Sequence, residues 1–166
     1  MNLLQNMTTA LAPAGLNLIG TTPVADYEAM VASQYHIAPL IPTAKTVIVI
    51  GNGGGEFWQH FRDYANARPD YFQQHENPVD AYTVEVIEEA LTPHLDLTQA
   101  QYRYIYPFQF FDGLTVSFMH LTQAAGLAGP SILGVQIHPE YGPWMALRAA
   151  ILIDQELSVP PVAPGF

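Results

Sequence analysis

Apolar and polar positions follow two periods along the chain, one typical of helices and one typical of buried strands. Apolar residues recur at three- and four-residue spacing before Gly15 and again after Pro78, which predicts two amphipathic helices. The unbroken apolar run at 46–50 predicts a central strand covered on both faces. The order excludes an all-α protein and a strict βαβ repeat, and leaves an α+β sandwich and an open α/β sheet as alternatives. The other predicted elements are strands at 16–19, 103–107, 132–137 and 147–153, helices after Thr22, around Phe57 and over 115–126, and a surface loop at 66–76.

Length and composition indicate one domain. The chain has 166 residues, of which 49% are hydrophobic, and this is enough to form a core without metals or disulfides. We predict a single domain over residues 1–154 and a proline-rich C-terminal tail over 155–166. No apolar run reaches the roughly 18 residues of a membrane helix, and no basic region precedes an apolar stretch near Met1. These features predict a soluble, cytoplasmic protein.

Charge and cysteine content exclude several functions. The formal net charge is −10, and the five Lys and Arg residues are scattered at positions 45, 62, 68, 103 and 148. Phosphate contacts need clustered cations, so neither nucleic acid nor an anionic membrane is an expected partner. The chain has no cysteine, which excludes disulfides, thiolate zinc sites, iron–sulfur clusters and cysteine nucleophiles within it.

Residues 134–148 contain the strongest candidate for a functional side chain. An apolar strand enters a turn at His138, and the chain then continues through an apolar segment that carries Arg148. Burying an unpaired charge costs several kcal/mol, so this cation needs a partner. The partner is either a carboxylate, with Asp80 and Glu140 as candidates, or an anionic ligand. The sequence leaves both alternatives open.

A glycine-rich loop over residues 51–56 follows the central strand and precedes a helix. Backbone N–H groups at such a helix start can hold an anion, but the same glycines also suit a turn that needs positive φ. The loop lacks the lysine of a P-loop, and its glycines at 51, 53 and 55 do not match the dinucleotide fingerprint. The six histidines show no metal-ligand spacing, so they predict neither a metal site nor a catalytic residue.

Three segments carry a resemblance to a known family. Residues 77–80 are Asn-Pro-Val-Asp, residues 124–129 are Ala-Ala-Gly-Leu-Ala-Gly, and residues 137–148 contain Ile-His-Pro, Tyr-Gly, Trp and Arg in that order. In order and spacing they resemble the cobalamin-binding domain shared by the B12-processing protein CblC, epoxyqueuosine reductase and the corrinoid reductive dehalogenases. The resemblance extends from the first helix to Asp154. It implies an α+β fold, a flavin-reductase (nitroreductase)-like sandwich with a mostly antiparallel central sheet flanked by helices.

The resemblance also implies a cofactor site built from three parts of the chain. The glycine loop would lie near the corrin ring, and the segment after the 115–126 helix would hold the nucleotide tail of cobalamin. His138 either hydrogen-bonds its own turn or faces the ligand. No histidine is expected on cobalt, because the resembling proteins bind cobalamin with its own base detached and without a protein histidine ligand. The implied cofactor-binding residues are Gly53, Gly54, Gly126, Gly129, Ser131, Ile132, Ile137, His138, Tyr141, Trp144 and Arg148.

Three functions follow as alternatives. The resemblance implies base-off cobalamin binding, with B12 handling or reductive removal of the upper axial ligand by electrons from an external reductase or thiol. An FMN-dependent reductase of nitroreductase-like fold is the second alternative, and flavin at a subunit interface would make it a homodimer. A non-catalytic binding or assembly domain is the third. Because the chain has no cysteine, an iron–sulfur relay within it is excluded in every case.

Overall fold

The computed structural model describes residues 2–111 and 113–157, so the tail predicted over 155–166 lies largely outside the described residues. Short 3₁₀ turns at Ala12–Ala14 and Ser33–Tyr35 join the longer elements. The helices are α1 (Leu3–Leu11), α2 (Val24–Ala29), α3 (Glu56–Asn66), α4 (Tyr71–Gln74), α5 (Pro78–Asp96) and α6 (Phe118–Ala124). The strands are β1 (Leu18–Pro23), β2 (Thr46–Gly53), β3 (Tyr102–Ile105), β4 (Gly129–Pro130), β5 (Gln136–Ile137) and β6 (Met145–Ile153).

The central sheet has the strand order β1-β2-β6-β3, and each neighbouring pair is antiparallel. Strands β2 and β6 pair from Thr46 opposite Ile153 to Ile50 opposite Ala149, and Gly51 then pairs with Leu147. This shift leaves Arg148 without an opposite residue and makes it the extra residue of a β-bulge. A separate two-stranded sheet joins β4 and β5. The mostly antiparallel sheet implied by the resemblance is therefore present.

Each face of the sheet carries its own hydrophobic core. Ile48, Ile50 and Ile151 point to one side, where they pack with α1, α3 and α5. Val49 and Leu152 point to the other, where they pack with α2 and α6. Strand β2 is buried along its whole length, which confirms the prediction of a central strand covered on both faces. This layering follows the period of two, because successive side chains of a strand alternate between faces.

The connection between α1 and β1 is fixed against the start of α3 by one glycine. Gly15 adopts φ 73°, in the left-handed region, and a Cβ added there would overlap the backbone of Phe57. The N-terminus of α1 is closed by a capping box in which Asn2 and Gln5 bond each other's backbone N–H groups. The turn at Gly15 therefore packs directly on the first residues of α3.

Several element boundaries differ from the sequence-based prediction. The first strand begins at Leu18 and runs through Thr22, whose hydroxyl donates to the carbonyl of Pro23 and does not cap α2. The strand predicted at 132–137 is reduced to β5, because the preceding residues 131–134 form a tight turn. The loop at 66–76 contains α4, whose Tyr71 is buried. No helix within the described ranges is long and apolar enough to cross a membrane.

Candidate functional site

Arg148 contacts the end of β2 and the start of α3. Its Nε donates to Oδ1 of Asn52 across 2.7 Å, and the Asn52 residue is only 2% exposed. The guanidinium carbon lies 4.1 Å from the ring centroid of Phe57 and 5.6 Å from that of Trp58. The β-bulge explains this position: Leu147 packs with the α2 and α6 core, whereas Arg148 reaches Phe57 in the opposite core.

The side chain of Arg148 is half-buried and has no ion-pair partner among the described residues. No carboxylate oxygen in residues 2–111 and 113–157 lies within 4.0 Å of it, so neither Asp80 nor Glu140 forms the salt bridge considered from sequence. Burial lowers the pKa of Arg148, and the negative charge of Asp80 opposes that shift. The side chain keeps its charge at neutral pH, because the guanidinium pKa lies far above 7. It is a desolvated cation supported by aromatic faces and one amide oxygen.

Two cavities share Arg148 as a wall. The larger of the two has a volume of about 480 Å³, within the range of small-molecule sites, and opens between the glycine loop and the segment before β6. It is lined by Asn52, Gly54, Gly55, Trp58, Pro143, Trp144, Met145, Ala146 and Arg148. The smaller has a volume of about 290 Å³ and lies between α5 and the segment after β3, with Asp80, Thr83, Pro107, Phe108 and Leu147 as its other walls.

The glycines of the loop have three different environments. A Cβ added at Gly53 would overlap the ring of Tyr141, so this glycine is required by packing within the chain. Gly54 adopts φ 74° and donates its N–H to the carbonyl of Trp144 across 2.9 Å. A Cβ at Gly55 would meet no atom within 4 Å. Of the three, only Gly55 presents open space to the cavity.

A single amide side chain joins the loop to the 137–148 segment. Oδ1 of Asn17 accepts from the N–H of Gly53 at 2.8 Å, and Nδ2 donates to the carbonyl of Gly53 at 3.0 Å. The same Nδ2 donates to the hydroxyl of Tyr141 at 3.4 Å. Asn17 therefore joins the end of β2 to the side chain of Tyr141.

His138 closes its own turn. Its Nδ1 accepts from the backbone N–H groups of Glu140 and Tyr141, at 3.1 and 3.3 Å, so the ring carries its proton on Nε2 when neutral. A pair of backbone hydrogen bonds joins His138 to Gly142 across the turn, and the His138 and Tyr141 rings lie 4.9 Å apart. The structure therefore shows His138 in a hydrogen bond with its own turn, which is one of the two roles that the sequence left open. Within the described ranges no group of three His, Asp or Glu residues could hold a metal ion.

The other predicted binding residues lie around α6 and the β4–β5 hairpin. Gly126 ends α6 with φ 69°, and Gly129 pairs with Ile137 in the hairpin. Ser131 Oγ accepts from the N–H of Leu133 in the tight turn, and Ile132 at its tip is fully exposed. None of these predicted residues, all of which lie in the described part of the chain, lines the Arg148 cavities. The predicted residues therefore form two groups. The cavity group consists of Gly54, Trp144 and Arg148, with Gly53, His138 and Tyr141 packed behind them. The hairpin group consists of Gly126, Gly129, Ser131, Ile132 and Ile137.

Sequence reasoning missed part of the cavity. Asn52 and Gly55 flank the glycines that were singled out, and Trp58 lies on the outer side of α3 with 48% of its surface exposed. Trp144 is 78% exposed on the opposite wall. Asn52 gave little signal, because the sequence placed it in the glycine loop and the structure extends β2 through Gly53. An outward tryptophan in an amphipathic helix was the available signal for Trp58.

No protein-family model matches the sequence, and no curated protein is similar to it by sequence. Solved structures do match. The B12-trafficking protein CblC from C. elegans, a homologue of human MMACHC, superposes with a TM-score of 0.73 at 14% identity, over 96% of this chain and 70% of that one. This chain has the CblC fold. Epoxyqueuosine reductase from Streptococcus thermophilus gives a TM-score of 0.62 at 16% identity, over 99% of this chain and 49% of that one. A reductive dehalogenase gives 0.52 at 13% identity, over 98% of this chain and 20% of that one.

These matches confirm the predicted fold class. CblC and epoxyqueuosine reductase have nitroreductase-like folds, and the four-stranded antiparallel sheet flanked by helices is the α+β sandwich that the three sequence segments implied. The chain spans about half the length of the reductase and a fifth of the dehalogenase. At these identities the likeness shows the fold, and the chemistry of the site must be argued from its own residues.

Proposed function

We propose that this protein binds a corrinoid, with cobalamin held in the base-off form. The observation that carries the proposal is the shared fold with a B12-trafficking protein and with a dehalogenase described as B12-dependent. Because one fold often carries unrelated functions, the residues of the site must also fit the ligand.

The chemistry of the Arg148 cavity fits such a ligand. A corrinoid is a large, flat, mostly apolar macrocycle edged with amides, and its nucleotide tail carries a phosphodiester. The cavity offers two exposed indoles, at Trp58 and Trp144, and an open backbone at Gly55. It also holds the half-buried cation of Arg148, which has no carboxylate partner among the described residues. Apolar faces with a few placed polar groups are typical of cofactor sites.

The residues that would hold the cofactor remain those proposed from the resemblance. The cavity group would contact the ring and an anionic group, and the hairpin group would hold the tail through main-chain groups and a serine hydroxyl. Gly53, His138 and Tyr141 would act by shaping the wall of the site. The full set is Gly53, Gly54, Gly126, Gly129, Ser131, Ile132, Ile137, His138, Tyr141, Trp144 and Arg148.

The chemistry of this function depends on the cofactor, which supplies a cobalt centre that accepts electrons from a donor. We propose B12 handling or reductive removal of the upper axial ligand, with the electrons coming from an external reductase or thiol. The chain itself holds no cysteine to deliver them. Its own contribution is to bind and orient the cofactor and to exclude water at the Trp58 and Trp144 walls. The cation of Arg148 would stabilise a negatively charged group of the ligand.

An absorbance titration tests this function. Methylcobalamin, cobinamide, which lacks the lower base, and FMN are each titrated into the protein. We expect the long-wavelength band of methylcobalamin to move to shorter wavelength, because the base detaches on binding. Cobinamide, which also lacks the phosphodiester and ribose of the tail, should bind through the ring alone with no such shift, since it has no base to detach. A perturbed FMN spectrum without any corrinoid change would support the FMN-dependent reductase, and no change with any of the three would support a non-catalytic binding or assembly domain.

A further inference from the structure

Four aromatic side chains form a continuous row along β3 and the segment that follows it. The ring centroids of Tyr102 and Tyr104 are 5.8 Å apart, those of Tyr104 and Tyr106 are 6.3 Å apart, and those of Tyr106 and Phe108 are 5.4 Å apart. The last two pairs are nearly parallel, with interplanar angles of 15° and 14°. We call Tyr102, Tyr104 and Tyr106 the tyrosine row. Its rings are in contact from one end to the other.

Each hydroxyl of the tyrosine row bonds a side chain of α5. Tyr106 donates to Oε1 of Glu88 at 3.0 Å, and Tyr102 donates to Oδ1 of Asp96 at 2.6 Å. Between them, the hydroxyls of Tyr104 and Thr92 are 3.0 Å apart. The two ends of the row therefore have a carboxylate as hydrogen-bond acceptor, and the middle has an alcohol.

The row joins the Arg148 site to the protein surface. Phe108 lines the cavity that Asp80 and Arg148 also line, and Tyr106 behind it is 3% exposed. At the far end Tyr102 is half-buried, and its partner Asp96 is exposed. Strand β3 is the edge strand of the sheet, and the row runs between this strand and α5 along the edge of one hydrophobic core.

The proton acceptors distinguish this arrangement from packing alone. A tyrosine that gives up one electron becomes strongly acidic and must pass its phenolic proton to a base within hydrogen-bond reach. Desolvation raises the pKa of Tyr106, with the neighbouring Glu88 charge adding to it, and desolvation also raises the pKa of Tyr104 to about 12. The phenols are therefore protonated at neutral pH, and oxidation at either end requires the carboxylate beside it.

We propose that the tyrosine row carries an oxidising equivalent from the Arg148 cavity to the surface. A radical oxidant in the cavity takes one electron from Tyr106 and is reduced, and the phenolic proton passes to Glu88. Tyr102 then gives an electron to the Tyr106 radical through the Tyr104 ring and passes its own proton to Asp96, while Tyr106 recovers its proton from Glu88. A thiol or ascorbate at the surface gives one electron to the Tyr102 radical and releases its own proton to solvent, while Tyr102 recovers its phenolic proton from Asp96. The net reaction is reduction of the cavity radical by the external reductant.

This activity goes beyond the proposed function and does not depend on it. The row would protect the interior from any one-electron oxidant formed at the site, whichever ligand the cavity takes. A photochemical test can therefore be made with no corrinoid present, and its failure would leave the corrinoid titration untouched.

The absence of cysteine allows an oxidant to be attached at one point. Phe110 follows Phe108 in the chain and is 99% exposed. In the variant Phe110→Cys, the introduced thiol is labelled with a ruthenium photo-oxidant. After a flash with an external quencher, we expect the electron paramagnetic resonance signal of a tyrosyl radical at Tyr102. Tyr106→Phe should abolish this signal, and Tyr102→Phe should leave the radical on Tyr106. Tyr64→Phe, a matched change outside the row, should leave the signal intact.

A second variant separates the rings from the proton acceptor. Glu88→Gln keeps the ring row and removes the base beside Tyr106, so the Tyr102 radical should be lost although the fold is retained. A Tyr102 signal that persists in both Tyr106→Phe and Glu88→Gln would overturn the proposal. Oxidation of Trp58 or Trp144 in place of Tyr102 would overturn it as well.

Discussion

The side chains of Arg148 and Asn52 form a hydrogen bond of 2.7 Å at the β-bulge between the two central strands. This bond is the only side-chain hydrogen bond that Arg148 makes with the described residues. It uses Nε and leaves the terminal guanidinium nitrogens without a hydrogen-bond partner among the described residues. The strand irregularity thus places a cationic side chain at the wall of two cavities.

Arg148→Met should destabilise the protein only modestly. The change leaves the buried Oδ1 of Asn52 without its donor, at a cost of about 1–3 kcal/mol, and it also removes a desolvated charge. A buried salt bridge would instead lose about 3–5 kcal/mol when one partner is removed. Urea unfolding of Arg148→Met, Asn52→Leu and the double variant measures the coupling between the two residues. A loss in the salt-bridge range for Arg148→Met would show that the side chain has an ionic partner in solution.

Gly55→Leu should weaken ligand binding without a matching loss of stability. A side chain at this position meets no protein atom and extends into the space beside Trp58, so it obstructs the cavity rather than the core. Gly55→Ser is the control, because it adds little volume and serine suits the N-cap position of α3. Cobalamin affinity and melting temperature are measured for both variants. Equal affinities for Gly55→Leu and Gly55→Ser would mean that the ligand does not enter this cavity.

Gly53→Ala, in contrast, should lower the stability of the protein even without ligand. The added Cβ overlaps the ring of Tyr141, which is clamped by Asn17, and overpacking of this kind costs about 1–3 kcal/mol. The loss should appear in the unfolding free energy of the protein without ligand. If Gly53→Ala unfolds at the same urea concentration as the parent, Tyr141 is not held against β2 in solution.

The fold class could be predicted from the resemblance of three sequence segments, because the apolar pattern alone left an open α/β sheet as an alternative. That pattern did predict the central strand, and a lone cation drew attention to the candidate site. The apolar run at 46–50 has no polar alternation, and burial on both faces follows directly from that pattern. The location of Arg148 could be predicted because a charge in an apolar strand is costly. Its partner could not, because the choice among Asp80, Glu140 and Asn52 depends on a bulge that no local pattern reveals.

Other parts of the site depend on contacts between distant residues. Gly53 was assigned to ligand approach, but its requirement for glycine comes from Tyr141, far along the chain. Asn17 gave no sequence signal, since an exposed asparagine after a helix is also common in turns. The strand predicted at 132–137 shortened because a tight turn at 131–134 formed within its apolar residues.

Asn17→Ala should loosen the cavity wall. The change removes two hydrogen bonds to the backbone of Gly53 and one to Tyr141, each worth about 0.5–1.5 kcal/mol when solvent does not replace it. Asn6→Ala on α1 is the matched control, because the Asn6 amide makes no side-chain hydrogen bond within the described residues. Amide exchange at Gly53 and Trp144 should accelerate in Asn17→Ala alone. Identical exchange in the two variants would remove Asn17 from the account.

Stability should decline in alkaline solution through Tyr82. Desolvation raises the pKa of this tyrosine from 10.0 to about 12, so above pH 10 the unfolded chain loses the proton while the folded chain keeps it. The stabilising contribution is complete below pH 10 and is lost as pH rises towards 12. Tyr82→Phe should lower stability at neutral pH, since it removes the hydrogen bond to Ala14, and should flatten the decline above pH 10. Urea unfolding across this range checks the slope, and an unchanged slope would contradict the assignment.

Calorimetric titration of the protein with cobalamin tests the central claim most directly. We predict a dissociation constant of about 1 μM or tighter, equivalent to roughly −8 kcal/mol, and a clear loss of affinity in Arg148→Met. Cobinamide is titrated in parallel, so that the difference between the two ligands gives the net effect of the nucleotide tail, which is the contacts it makes less the cost of detaching the lower base. Saturable binding of both corrinoids is the predicted result. The absence of binding up to about 1 mM of either corrinoid would contradict the account.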